Sequence, residues 1–177
     1  MTHTEHSSAN DRDDLSTSRV DLGNDLEVTV TRAFDAPPDL VFAAFTKPPL
    51  VQKWLLGPPG WSMPLCDIDF KVGGKYRYRW RSDKDGAEFG FVGTFKEIDA
   101  PRLIVHSEKF DEKYGDPSMP GETLVTTRFE KRGGRTIVTM TQRFESKQAR
   151  DTAVGTGMTD GMEQSFKLLE RLLKEKN

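Results

Sequence analysis

The chain reads as an α+β fold: an antiparallel sheet of about seven strands wraps a long C-terminal helix, and two short helices follow the first strand. Three observations predict it. Short runs of alternating apolar and polar residues recur, divided by Gly, Pro and Asp turn signals. Two proline-led apolar segments follow the first of these runs. From Arg150 to Lys176, Val154, Met158, Met162, Phe166, Leu169 and Leu173 recur at three- and four-residue steps, which marks one apolar helix stripe.

The elements follow in order. Leu26 to Arg32 alternates and is rich in β-branched residues, as a half-buried strand requires. Asp35-Ala-Pro-Pro-Asp joins a capping residue to prolines suited to a first helical turn, and Val41, Phe42 and Phe45 then share one face. Thr46-Lys-Pro-Pro repeats that start signal; Leu50, Val51, Trp54 and Leu55 give a second short apolar face, which Gly57-Pro-Pro-Gly ends. Strands are expected over Trp61 to Phe70, Lys75 to Arg81, Glu88 to Ile98, Arg102 to Phe110, Thr123 to Glu130 and Thr136 to Phe144. Asp111 to Gly121, with two glycines and two prolines, reads as a long mobile loop. Within the terminal helix Gly155, Gly157 and Gly161 each lower helix propensity by about 1 kcal/mol relative to Ala. Such glycines have a packing reason or let something approach the backbone.

Composition narrows the function classes. The 177 residues carry 26 Lys and Arg against 28 Asp and Glu, so the net charge of −2 offers no global field to nucleic acid or anionic membrane. One cysteine, Cys66, excludes an intrachain disulfide and any cysteine-based metal cluster, and fits a reducing compartment. No apolar run approaches a membrane span and the N-terminus has no signal-peptide core, so a cytoplasmic protein without membrane insertion is expected. Residues 1–25 are rich in Ser, Thr, Asn and Asp and read as a largely disordered tail, leaving 26–177 as the folded domain. His3 and His6 form an H-x-x-H pair in that tail, without the fixed geometry that a metal site requires.

The aromatic residues carry the most informative local pattern. Tyr76, Tyr78 and Trp80 alternate with Lys75, Arg77, Arg79 and Arg81, so one strand face is aromatic and the other cationic. Phe89, Phe91 and Phe95 form a similar row on the next strand. Facing a helix that holds Met and Gly, these rings either enclose a curved apolar cavity or pack together as core. Charges and rings on opposite faces do not make one nucleic-acid surface, so the basic row reads as a solvated face, with Glu88 available for pairing. His106 and Glu108 lie two apart on a strand and form a weak candidate for proton transfer or for two metal ligands; no third ligand is visible, and an exposed strand face is the favoured reading. Tyr114 and Glu122 are lid residues or plain surface, and Asp67 and Asp69 read as architecture. No nucleophile elbow, phosphate-binding loop, dinucleotide fingerprint or H-E-x-x-H motif is present, and Cys66 reads as a small buried residue.

Taken together, Thr31-Arg-Ala-Phe-Asp-Ala-Pro-Pro-Asp-Leu-Val-Phe, Gln52-Lys-Trp-Leu-Leu-Gly-Pro, Asp69-Phe-Lys-Val-Gly-Gly, Gly93-Thr-Phe-Lys-Glu-Ile, Gly134-Arg-Thr-Ile-Val-Thr-Met-Thr-Gln and the Gly161-Met-x3-Phe-x2-Leu run carry a resemblance. Their order and spacing resemble the START-like, helix-grip proteins related to the C-terminal domain of the activator of the ninety-kilodalton heat-shock ATPase. The match extends over nearly everything from Leu26 onward. Met162 stands where family members commonly have Trp, and the Asp99-Ala-Pro turn is shorter than usual. The resemblance implies a cavity between sheet and helix whose contents differ among members. A small hydrophobic or aromatic-containing molecule is the expected ligand. Trp54, Trp61, Tyr76, Tyr78, Trp80, Phe89, Phe91, Met158 and Met162 are its expected walls, with Tyr hydroxyls and His106 orienting it. The resemblance also implies two alternatives: a cofactor-free enzyme using His106 and Glu108, and a module that assists a chaperone ATPase. The activator carries a preceding domain that 25 residues do not supply, so a chaperone ATPase is not an expected partner. A cofactor is not expected either, and homodimerisation through an exposed strand or the terminal helix is compatible with the pattern.

Overall fold

The computed structural model describes residues 14–113 and 121–176. In chain order its elements are β1 (Arg19–Asp21), β2 (Glu27–Phe34), α1 (Pro38–Thr46), α2 (Pro48–Trp54), β3 (Trp61–Ile68), β4 (Lys75–Ser82), β5 (Glu88–Asp99), β6 (Leu103–Phe110), β7 (Thr123–Arg132), β8 (Arg135–Arg143), α3 (Lys147–Gly155) and α4 (Met158–Lys176). The strands form one open antiparallel sheet in the order β1-β2-β8-β7-β6-β5-β4-β3. Register shifts between Ser62 and Leu65 and between Phe95 and Glu97 locally bend it. The α+β architecture is the one expected from sequence.

Two expectations need correction. The sheet has an eighth strand, β1, drawn from the segment read as a disordered tail. Its polar composition hid three anchors. Leu15 is 6% exposed and packs with Ala33 and Ile137 on the outer side of the sheet. The Arg150 guanidinium donates to the Asn24 carbonyl at 2.9 Å and to those of Leu22 and Glu27 at 3.4 Å. The Ser18 hydroxyl and amide both donate to the Glu163 carboxylate. His3 and His6 lie outside the described residues, as does Tyr114 with most of the loop expected to be mobile.

The second correction concerns the long helix, which is two helices. Ser146 caps α3 by accepting from the Ala149 amide at 3.0 Å. Gly157, at φ +84°, then ends that helix and turns the chain into α4. A residue with a side chain is strained at that angle, so the glycine here is a boundary that helical periodicity does not reveal.

The C-terminal half of α4 forms the core. Phe166, Leu169, Leu172 and Leu173 are buried against Val28, Val30 and Phe34 of β2, Val138 of β8, Phe129 of β7 and Trp54 of α2. Phe166 meets Phe34 edge-on at 5.4 Å and stacks on Trp54 at 6.1 Å. The Trp54 indole donates to the Ala44 carbonyl at 2.8 Å, so its burial leaves no orphan donor. Arg32, 1% exposed, sits beneath the same helix. It pairs with Glu170 at 3.4 Å and Glu163 at 3.6 Å, donates to the Ala33 carbonyl at 2.9 Å, and lies 5.1 Å from the Phe34 ring centre.

If the N-terminal segment is part of the packed structure, truncating its anchor destabilises the domain. Leu15→Ala is expected to cost about 2 kcal/mol, or roughly 6 °C in Tm for a chain of this size. Val20→Ala, at a side chain 40% exposed on β1, is expected to change Tm by less than about 1 °C. Thermal melts followed by circular dichroism check both.

Candidate functional site

Nearer its start, α4 carries Met158, Gly161 and Met162 in place of the Phe and Leu of its far end. A Cβ built at Gly161 meets nothing within 4 Å. Where the helix side chains are small or slender the sheet does not close on them, and a cavity of about 550 Å³ lies between. That volume is in the range of small-molecule sites.

All nine residues expected to form its walls line this cavity. Trp54 comes from α2, Trp61 from β3, Tyr76, Tyr78 and Trp80 from β4, Phe89 and Phe91 from β5, and Met158 and Met162 from α4. The rings support one another. Trp80 stacks on Phe89 at 5.0 Å and meets Phe91 at 5.5 Å and Tyr78 at 5.8 Å, while Phe91 reaches Phe110 at 4.5 Å. The Trp80 indole donates to the Leu55 carbonyl at 2.7 Å, which joins β4 to the end of α2. Its N–H is thus engaged.

Apart from His106, most other lining residues escaped the sequence reading. Ile104, Thr127 and Met140 form one cross-strand row over β6, β7 and β8, and His106, Val125 and Gln142 form the next. Strand alternation held the signal, but strand order was needed to assemble it. Leu55, the last of the short apolar face at α2, also lines it, and Leu56 and Pro58 enter from the turn that follows, where no periodicity marks an inward face.

The cavity has a polar end, built by Gly93. This glycine stands opposite Tyr76, and a Cβ there would fall 2.5 Å from the Tyr76 ring. Its absence lets the ring lie across β5 toward β6. The Tyr76 hydroxyl donates to the Ser107 carbonyl at 2.7 Å and lies 3.0 Å from His106 Nδ1. Nδ1 is also 3.0 Å from that carbonyl, which can only accept, so Nδ1 carries the proton and Nε2 is left as an acceptor. Burial lowers the His106 pKa, against the opposing effect of the Ser107 carbonyl, and holds the ring neutral.

Glu108 shares this inward face. Burial pushes its carboxyl up to about 7. Burial also raises the Tyr76 and Tyr78 hydroxyls, with the charge of Glu108 adding to both. The expected exposed face for His106 and Glu108 is therefore corrected. β6 lies inside the sheet, between β5 and β7, so one of its faces looks into the space under the helices.

Several residues fall outside the site. Glu122 is exposed, with its amide on the Glu145 carboxylate at 3.2 Å. On the opposite face of β4, Arg77 pairs with Asp111 at 3.2 Å and Arg79 with Glu88 at 3.9 Å. Cys66 is buried and its thiol is pushed up to about 12, which keeps it a poor nucleophile. Among the described residues no three His, Cys, Asp or Glu side chains group to hold a metal, and no helix is long and apolar enough to cross a membrane.

The fold has counterparts among solved structures. A protein from Rhodobacter sphaeroides is 30% identical, with a TM-score of 0.82 over 90% of this chain and 99% of its own. A protein from Arthrobacter aurescens is 28% identical, with a TM-score of 0.79 over 89% of this chain and 91% of its own. Protein Ms6760 from Mycobacterium smegmatis, at 22% identity, shares the fold with a TM-score of 0.79 over 89% of this chain and 96% of its own. No curated protein matches the sequence. A family model described as activator of Hsp90 ATPase homolog 1-like protein matches residues 35–174, from the turn after β2 to the last turn of α4. The chain belongs to that family.

Proposed function

We propose that this protein binds a small hydrophobic or aromatic-containing molecule in the cavity between the sheet and α4. The observation that carries this reading is the ring-lined space of about 550 Å³, in which apolar walls converge on a few polar tips. Burial of apolar ligand surface supplies the affinity at about 25 cal/mol per Å² before the costs of ordering. His106 Nε2, the Tyr78 hydroxyl and Glu108 orient the ligand's polar atoms. A cytoplasmic setting suits a chain with one buried free thiol.

A second reading, a cofactor-free enzyme, is favoured by one observation: His106 is neutral with a fixed tautomer, and Glu108 titrates near neutral pH on the same cavity face. Such a pair can exchange protons with a bound substrate near pH 7. His106→Ala is then expected to lower turnover at least about 100-fold while calorimetric binding of the same substrate is retained. Unchanged turnover removes the enzyme reading. Assistance to a chaperone ATPase has the family description behind it and no feature of the cavity.

The binding reading makes β4 decisive. Trp80→Ala is expected to weaken binding of decanol, a neutral apolar probe, by about tenfold or more, equivalent to about 1.4 kcal/mol. Arg79→Ala, on the other face of the strand, is expected to leave it within about twofold. Equal losses in isothermal calorimetry contradict the reading.

Glu108 also leaves a mark on stability. Its folded pKa of about 7 lies above the ordinary 4.5, so across that interval the folded chain holds a proton that the unfolded chain has released. Stability is thus lost through this group as pH rises from about 4.5 to above 7. His106, lowered by burial, acts in the opposite sense and costs stability as pH falls. Glu108→Gln is expected to raise Tm at about pH 8 and to leave it nearly unchanged at about pH 5, a difference that melts at the two pH values measure directly.

A further inference from the structure

Two charged side chains line the cavity, Glu108 and Lys109. They point differently. Lys109 is exposed, whereas Glu108 is half-buried on the cavity face, where burial pushes its carboxyl up to about 7. Among the described residues that carboxylate has neither an ion-pair partner nor a hydrogen bond. Its neighbours explain why. Thr123 stands opposite it on β7, His106 and Phe110 flank it along β6, and Tyr76 reaches over from β4 across Gly93. The ionisable groups of this set are His106, neutral and fixed through Nδ1, and the Tyr76 and Tyr78 hydroxyls, both held protonated. None brings a positive charge.

A carboxylate in such a place is costly when ionised unless something pairs with it. Arg32 shows how this fold treats a buried charge it keeps for itself, with two carboxylates, a carbonyl and a ring around one guanidinium. Glu108 has no such ion pair or hydrogen bond among the described residues. It has aromatic rings around it instead, since Tyr76, Tyr78, Phe91 and Phe110 line the same space, and the face of such a ring attracts a cation and gives an anion nothing.

We propose that the cavity selects amphipathic ligands that carry a protonated amine, the ammonium pairing with Glu108 while the apolar body lies against Trp80, Phe89 and Phe91. This deepens the ligand-binding reading and rests on it. The same arrangement discriminates against carboxylate-bearing ligands, which would place two negative charges together in a desolvated space.

Three probes of one chain length separate the possibilities: decylamine, decanol and decanoate, titrated calorimetrically into the whole chain at about pH 8, where the amine is protonated and Glu108 ionised. For the wild type, decylamine is expected to bind at least about tenfold more tightly than decanol, with decanoate weakest. Glu108→Gln is expected to bring decylamine within about threefold of decanol while decanol binding holds. Glu97→Gln, which removes an exposed negative charge outside the cavity, is expected to preserve the wild-type ratio. Equal wild-type affinity for amine and alcohol overturns the proposal without any variant, as does a preference that survives Glu108→Gln. In both cases bound decanol leaves the broader ligand-binding reading standing. Failure of all three probes to bind overturns both.

Discussion

The C-terminal helix cannot touch the sheet along its whole length, because its side chains shrink toward its N-terminal end. Phe166, Leu169, Leu172 and Leu173 are fully engaged in the core, while Met158 and Met162 are half-buried and Gly161 offers no side chain at all. One end of α4 therefore clamps the fold and the other stands off it. A dry space that large would forfeit many van der Waals contacts if it served only as core. The aromatic rows of β4 and β5 meet that space because strand alternation turns Tyr76, Tyr78, Trp80, Phe89 and Phe91 to one side. Cavity and core are thus two halves of one packing problem.

Charge is handled differently in the two halves. At the clamped end Arg32 is enclosed by Glu163, Glu170, a carbonyl and the Phe34 ring, and Glu163 also receives Ser18 from the segment before β1. That cluster fastens the sheet edge, the helix and the N-terminal segment together. At the open end Tyr76, Ser107 and His106 satisfy one another, while Glu108 meets no cation among the described residues. The contrast separates a charge used for structure from one available to a ligand.

Much of this was legible in the sequence, and the failures have physical causes. Alternation and turn chemistry located β2 to β8, and the parity of Tyr76, Tyr78 and Trp80 placed their rings on the cavity side. Composition misled at the N-terminus, where a single apolar anchor, Leu15, and backbone pairing to β2 outweigh a polar setting. Periodicity also ran through the break at Gly157, since the apolar stripe continues across a left-handed residue that ends the helix. His106 and Glu108 share one strand face, as their spacing requires, but their exposure depends on which strands flank β6, a property of the whole sheet order. Gly93 was visible as part of a family motif; its role, clearing the path of the Tyr76 ring, needs the cross-strand register.

The methionines give the most direct test of where a ligand goes. Met140, Met158 and Met162 line the cavity, whereas Met63 does not and lies behind its wall, packed with Val51, Cys66 and Trp80. In a protein labelled with carbon-13 at the methionine methyl groups, titration with decanol is expected to shift the Met140, Met158 and Met162 resonances together and saturably, with Met63 moving less. Shifts that are absent, or confined to methionines outside the cavity, would contradict the claim that the open half of α4 and the aromatic face of the sheet form a binding site.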